Sequence, residues 1–447
     1  MIVDSVLLNA KAYFKGEIVD CAIAIEEGKI AKVGRETHMP QADKKTDLHN
    51  LLVLPGLIDE HVHLRDEGKA YKEDFTSGTS AAAAGGFTTV LDMPNNTPVT
   101  MSAKTLSNRM ELAQRRILVN VGFYSELPKT LLEVKAIAEQ GAVGFKLFMG
   151  NQLGGVNVDD DAALKEALKA VGDAGLPLAV HAEDHAVVSA KEEKYKASNK
   201  ITAADYLRAH NEAAELKAVK RILKIAKKTD AHLHLLHIST AKSLEAIAEA
   251  KKADAQVTCE VTPNHLMLAR NFIAVYGGLA IVAPPLRDRL NVEALWQGIH
   301  DGVVDTLGSD HAPHTLEEKQ AQGIWDIKPG IPGLEVTLPL MLSMVKERSL
   351  SIEQLVSLLA EKPAEIFGLA DRGKILEGKT ADLTMVDYRK FKVDASKFKS
   401  NAKFTPYNGW ELWGRIDKTI VGGTVVFEEG EVVAKAGTGQ VVRGGTA

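Results

Sequence analysis

His61 and His63 stand two residues apart in the run GLIDEHVH (56–63). In a strand, residues i and i+2 point to the same side, so both imidazoles can reach one centre. Residues of similar chemistry recur at the ends of other apolar runs. His181 ends PLAVH, and His237 ends HLHLLH. Asp310 ends DTLGSD and is followed by His311 and His314, while Lys146 sits inside GFKLF (144–148). Taken singly, His181 and His237 fit satisfied core histidines, Asp310 a helix cap, and Lys146 a lysine reaching an edge. Together they place four histidines, one aspartate and one strand-buried lysine at five strand ends. Nitrogen and carboxylate ligands without thiolate suit Zn²⁺ or a similar divalent ion. A buried lysine is costly as a cation, so its pKa falls. The neutral amine can take up CO₂ as a carbamate, an anionic oxygen ligand able to bridge two metal ions. His232 and His234 alternate onto the face opposite His237 and read as structural.

These residues need a scaffold that brings strand ends together. Eight β-type runs fill the middle of the chain: 56–63, 88–94, 117–124, 142–149, 177–183, 231–239, 256–263 and 303–311. Helix-like segments such as 73–84, 103–116, 160–173, 203–228 and 240–252 lie between them. Such alternation predicts an α/β fold built on a parallel eight-stranded barrel of the TIM type, which carries its chemistry at the C-terminal strand ends. Residues 1–54 and 371–447 are different: short strands punctuated at Glu27-Gly28, Gly422-Gly423 and Glu429-Gly430. They are expected to form one small β-sandwich domain, split in sequence around a catalytic barrel at 55–370.

Composition narrows the function class. The chain has 447 residues, with 54 Lys+Arg against 59 Asp+Glu, a net charge of −5. No basic half or tail exists, so nucleic acid is not an expected partner. No apolar run reaches the length of a membrane span, and the start lacks the pattern of a signal peptide. Cys21 and Cys259 are the only cysteines, which fits a reducing cytoplasm. The expectation is a cytoplasmic enzyme with a small-molecule substrate.

The ordered motifs resemble the amidohydrolase superfamily, and within it the dihydroorotases of the cyclic-amidohydrolase group. The resemblance runs through PGLIDEHVHLRDEG (55–68), KEDFTSGTSAAAAGGFTTVLDMPNNTP (72–98), GFKLF, HAED (181–184), HIS (237–239), EVTPNHL (260–266), PPLR (284–287) and GSDHAPHT (308–315). It implies a metal-dependent hydrolase barrel holding two divalent ions, Zn²⁺ being the expected metal. His61, His63 and Asp310 would bind the more buried ion and His181 and His237 the second. Carboxylated Lys146 and a hydroxide would bridge the pair. Arg65 and Asn95, helped by His314, would hold a substrate carboxylate, and Asp310 would also carry the catalytic proton. The implied reaction interconverts dihydroorotate and N-carbamoyl-L-aspartate in pyrimidine biosynthesis. A homodimer or homotetramer, and association with aspartate carbamoyltransferase, are implied as well.

Two departures keep other readings open. Asn264-His265 replaces a common His-His pair, and Ala283 stands before PPLR where Asn is common. The second bears on how the ring edge is recognised and retains allantoinase and hydantoinase, or dihydropyrimidinase, as alternatives. An inactive assembly scaffold is a third reading, opposed by the presence of every ligand position. Glu183, Asp184 and Asp92 are candidates to orient metal-binding histidines. The connection 263–289 reads as a lid, and Trp325 with 328–335 as a far wall.

Overall fold

The structure is a computed structural model that describes residues 2–150 and 153–445. Eight parallel strands form one sheet in chain order. They are Leu57–Val62, Phe87–Asp92, Asn120–Glu126, Gly144–Phe148, Leu178–His181, Leu233–Leu235, Val257–Val261 and Thr306–Leu307. Each overlaps one of the eight apolar runs. The strands are buried on both faces, which is why those runs are continuously apolar rather than alternating. The ring closes through a parallel bridge between Val62 and His311, with His63 N donating to His311 O at 2.8 Å.

The helices between the strands follow ordinary capping and periodicity. Asp161–Asp173 buries Leu164, Ala167, Leu168 and Val171, spaced for one helix face, and the Asp160 side chain caps it by accepting from Ala162 N and Ala163 N. Periodicity predicts a single helix over 203–228, but the structure has two, Ala203–Ala209 and Glu212–Ala226. His210 leaves the helical path because Glu183 and Glu192 hold its two ring nitrogens, each at 3.0 Å. Asn211 then caps the second helix by accepting from Ala214 N. Among the described residues, no helix is long and apolar enough to cross a membrane.

A separate nine-stranded mixed sheet draws on both ends of the chain. The ends meet where Leu52–Pro55 pairs antiparallel with Leu383–Lys392, Pro55 opposite Leu383. The first strand, Ile2–Phe14, pairs with Gln41–Asp47 over its first half and with Leu52–Pro55 near its end. Glu27-Gly28 (φ 48 and 72) and Gly422-Gly423 (φ 51 and 78) make hairpin turns with both central residues left-handed. That geometry matches the twist of the flanking strands.

The last described residues run not along this sheet but under the barrel. Val121 N donates to Gln440 O at 3.0 Å, and Val442 N to Val121 O at 2.9 Å. Val442 packs among Tyr124, Val143 and Phe367. Gly439 lies against the Val119 carbonyl, where a Cβ would collide. The variant Gly439→Ala is therefore expected to lift this strap at a cost of about 2 kcal/mol. Thermal melting, read as a lower Tm than wild type, checks it.

Candidate active site

The proposed barrel mouth is built from backbone that ordinary residues avoid. Arg65, His237 and Asp310 have φ of 63, 38 and 44, in the left-handed region. Non-glycine residues held there are strained, and such strain collects at functional sites. The mouth is held in part by Asp59, whose Oδ1 accepts from His61 N and Ser309 N, each at 3.1 Å, tying the first strand to the last.

Three imidazoles are fixed by the nitrogen that faces away from the centre. His61 Nδ1 meets the Glu260 carboxylate at 3.0 and 3.1 Å. His63 Nδ1 meets Asn95 Oδ1 at 2.8 Å. His181 Nε2 meets Glu183 Oε2 at 2.9 Å. Each acceptor assigns the proton to that nitrogen and leaves a lone pair on the other. The free nitrogens converge. His61 Nε2 and His63 Nε2 both lie 3.4 Å from Asp310 Oδ1, and these donor atoms all fall within 4.8 Å of one another. His181 Nδ1 lies 3.0 Å from His237 Nε2. Burial lowers His61 to about 3 and His63 to about 4, so both are neutral rather than cationic.

Lys146 completes the set. It is fully buried, and its Nζ has no hydrogen-bond partner among the described residues. Burial brings it down to about 8. An orphaned, easily neutralised amine beside two groups of bare lone pairs fits a carbamate ligand for metal ions. The donor set as a whole, imidazole nitrogen and carboxylate oxygen without thiolate, fits divalent cations.

Arg65 borders this centre. Its Nε donates to Pro313 O at 3.2 Å, and Nη2 lies 3.2 Å from His314 Nε2. It is buried, yet among the described residues no carboxylate lies within ion-pair distance of it. Asn95, which also lines the cleft, turns its oxygen to His63. His314 is kept neutral by burial and by Arg65 and Lys72; Lys72 Nζ lies 3.1 Å from its Nδ1 and 2.7 Å from Glu318.

The supporting residues differ in part from those the sequence suggests. Of Glu183, Asp184 and Asp92, only Glu183 touches one of these imidazoles. Asp184 caps the helix His185–Ala197. Asp92 accepts from Leu64 N at 2.9 Å and pairs with buried Arg109. Segment 263–289 packs as a wall: Tyr206 OH donates to Val282 O, and Trp296 Nε1 to Leu266 O, each at 3.0 Å. Glu260, His210 and Lys319 are additions. Glu260 was visible only as an acid inside the run QVTCEV. Lys319 is buried and donates to Ile281 O, Lys328 O and Gly330 O at 2.8–2.9 Å, bracing the far wall. His210 links Glu183 to Glu192; burial alone would lower it, but the two carboxylates raise it to about 9. The resulting cleft, of about 590 Å³, is lined by the four imidazoles, Lys146, Asp310, Arg65, Asn95 and His314, with Phe148, Val188, Ala283, Ile324 and Trp325.

Against known proteins, the chain matches the amidohydrolase family over residues 52–426. It is 37% identical to a dihydroorotase of Methanothermobacter thermautotrophicus over 415 residues, 92% of each chain. It is 33% identical to an L-hydantoinase of Paenarthrobacter aurescens, covering 98% of each chain. Among solved structures, an L-hydantoinase (dihydropyrimidinase) from Arthrobacter aurescens superposes with a TM-score of 0.95 at 32% identity, covering 99% of this chain and 100% of that one.

Two outcomes follow from the supports. Since His210 has a folded pKa of about 9 against an ordinary 6.5, its stabilisation is complete below pH 6.5 and is lost as pH rises through 9. Between pH 6.5 and 9.5 the Tm of the wild type should therefore fall by roughly 3 °C more than that of His210→Gln. Lys319→Met leaves three buried carbonyls unmet, at about 3 kcal/mol, and is expected to lower the Tm accordingly.

Proposed function

The chain belongs to the amidohydrolase family, and on that premise we propose that it is a dihydroorotase, a metal-dependent cyclic amide hydrolase that interconverts dihydroorotate and N-carbamoyl-L-aspartate. His61, His63 and Asp310 would hold one ion, His181 and His237 a second, and Lys146, as its carbamate, would bridge them. Zn²⁺ suits this donor set. When bound, two such ions supply a hydroxide near neutral pH and polarise the scissile carbonyl.

The observation that carries the substrate assignment is Arg65. A buried guanidinium left without a carboxylate is costly, and an anion from outside relieves that cost. A substrate carboxylate fits its planar fork, and the Asn95 amide adds a directed N–H. His314, whose Nε2 faces the Pro329 carbonyl, is a neutral neighbour that does not pair the Arg65 charge. Asp310 then carries the proton: from the attacking hydroxide to the leaving ring nitrogen in hydrolysis, and to the departing hydroxide in ring closure. On the resemblance, the enzyme works in the cytoplasm in pyrimidine biosynthesis, as a homodimer or homotetramer associated with aspartate carbamoyltransferase.

One observation favours a second reading. Ala283 and the apolar wall of Val188, Ile324 and Trp325 leave room for an apolar ring substituent, which suits a hydantoinase. The variant Arg65→Met separates the two. A dihydroorotase should lose at least about 100-fold in kcat/KM for dihydroorotate, whereas activity on an uncharged hydantoin should persist. Asp310→Asn should lose about 10³-fold in kcat in both directions while retaining metal; wild-type turnover in that variant contradicts the role given to Asp310.

A further inference from the structure

Beneath the mouth, the barrel interior holds a second group of convergent donors. Glu60, His234 and Glu260 are all 0% exposed. One ligand atom from each lies within 4.8 Å of the others. Glu60 projects from the first barrel strand, His234 from the sixth and Glu260 from the seventh.

Two features of this group point to a missing positive charge. Neither Glu60 Oε1 nor Oε2 has a hydrogen-bond partner among the described residues, and His234 Nε2 has none either. The Thr258 hydroxyl explains which His234 nitrogen is bare. Its Oγ1 lies 2.9 Å from both His232 Nε2 and His234 Nδ1, and 3.4 Å from Leu233 O. A hydroxyl that donates to Leu233 O can accept from both imidazoles. The His234 proton is then on Nδ1, and Nε2 presents a lone pair to the two carboxylates. Lone pairs facing one another in a buried space call for a cation or a proton between them.

We propose that Glu60, His234 and Glu260 bind a further divalent cation of the zinc class inside the barrel. Two carboxylates match its charge, and one imidazole with carboxylate oxygens matches its ligand preference. In a tetrahedral site with bonds of about 2.1 Å, such an ion holds its ligand atoms about 3.4 Å apart, a separation that lies within the 4.8 Å span of the group. Thr306 Oγ1, Asp59 Oδ2 and Lys146 Nζ are likewise buried without hydrogen-bond partners. The occupant that competes with a metal is a proton shared between these lone pairs. Glu260 would serve both levels, as the acceptor for His61 Nδ1 above and as a ligand below. His234, structural by its place in the strand, would gain a second task. The site stands apart from the reaction assigned to the mouth.

The test is an anomalous difference map at the zinc edge on crystals of the full chain purified with zinc, with metal counted per chain on the same material. The expected result is a peak within bonding distance of Glu60, His234 and Glu260, separate from any at the mouth. One fewer zinc per chain is expected in Glu60→Gln of unchanged circular dichroism. Peaks at the mouth alone, or an unchanged count in a folded Glu60→Gln, overturn the proposal in favour of a shared proton. A filled interior with an empty mouth upholds this site and overturns the two-ion reading above. The wild-type map decides the matter even where the variant does not fold.

Discussion

His61, His63 and His181 each engage one ring nitrogen with an acceptor of the protein, and the rest of the mouth depends on that constraint. An imidazole whose outer nitrogen were free could rotate or change tautomer, and its lone pair would lose its aim. Glu260, Asn95 and Glu183 prevent this. The acceptors are in turn restrained. Glu260 also accepts from His237 N at 3.0 Å, and Glu183 is held by His210. The centre is thus set by two acids and an amide that lie on or just beyond the barrel strands.

The same constraint explains why the site concentrates cost. Left-handed backbone at Arg65, His237 and Asp310, an orphaned Lys146 amine and an unpaired Arg65 guanidinium are all unfavourable in isolation. A barrel with a large shared core can carry them, because hydrophobic burial along eight strands is contributed elsewhere. Under the proposed function, each unfavourable feature would be relieved by something that enters from outside: metal ions for the lone pairs, CO₂ for the amine, and an anion for the guanidinium.

Much of this was legible from local pattern. Two-residue spacing placed His61 and His63 on one side of a strand, and the β/α alternation placed His181, His237 and Asp310 at strand ends. Motif resemblance to one enzyme family added Arg65, Asn95 and His314. What escaped was set by pairing between distant segments. Glu260 meets His61 across 199 residues, a contact fixed by barrel closure and not by any spacing. His210 was hidden inside an apparently continuous helix, and only the pull of Glu183 and Glu192 reveals the break. Lys319 reads as one charge in a polar stretch until three carbonyls are seen to converge on it. The joining of the two ends through Leu52–Pro55 and Leu383–Lys392 was foreseen from their lack of strands, but its register was not.

The central claim is that a buried, unpaired Arg65 selects a substrate bearing a carboxylate. Dihydroorotate and dihydrouracil share a ring and differ by that group, so the ratio of their kcat/KM values on the same metal-loaded sample tests it most directly. A site built around a buried charge should favour dihydroorotate by about 10³-fold or more. Equal values, or a preference for dihydrouracil, would contradict it.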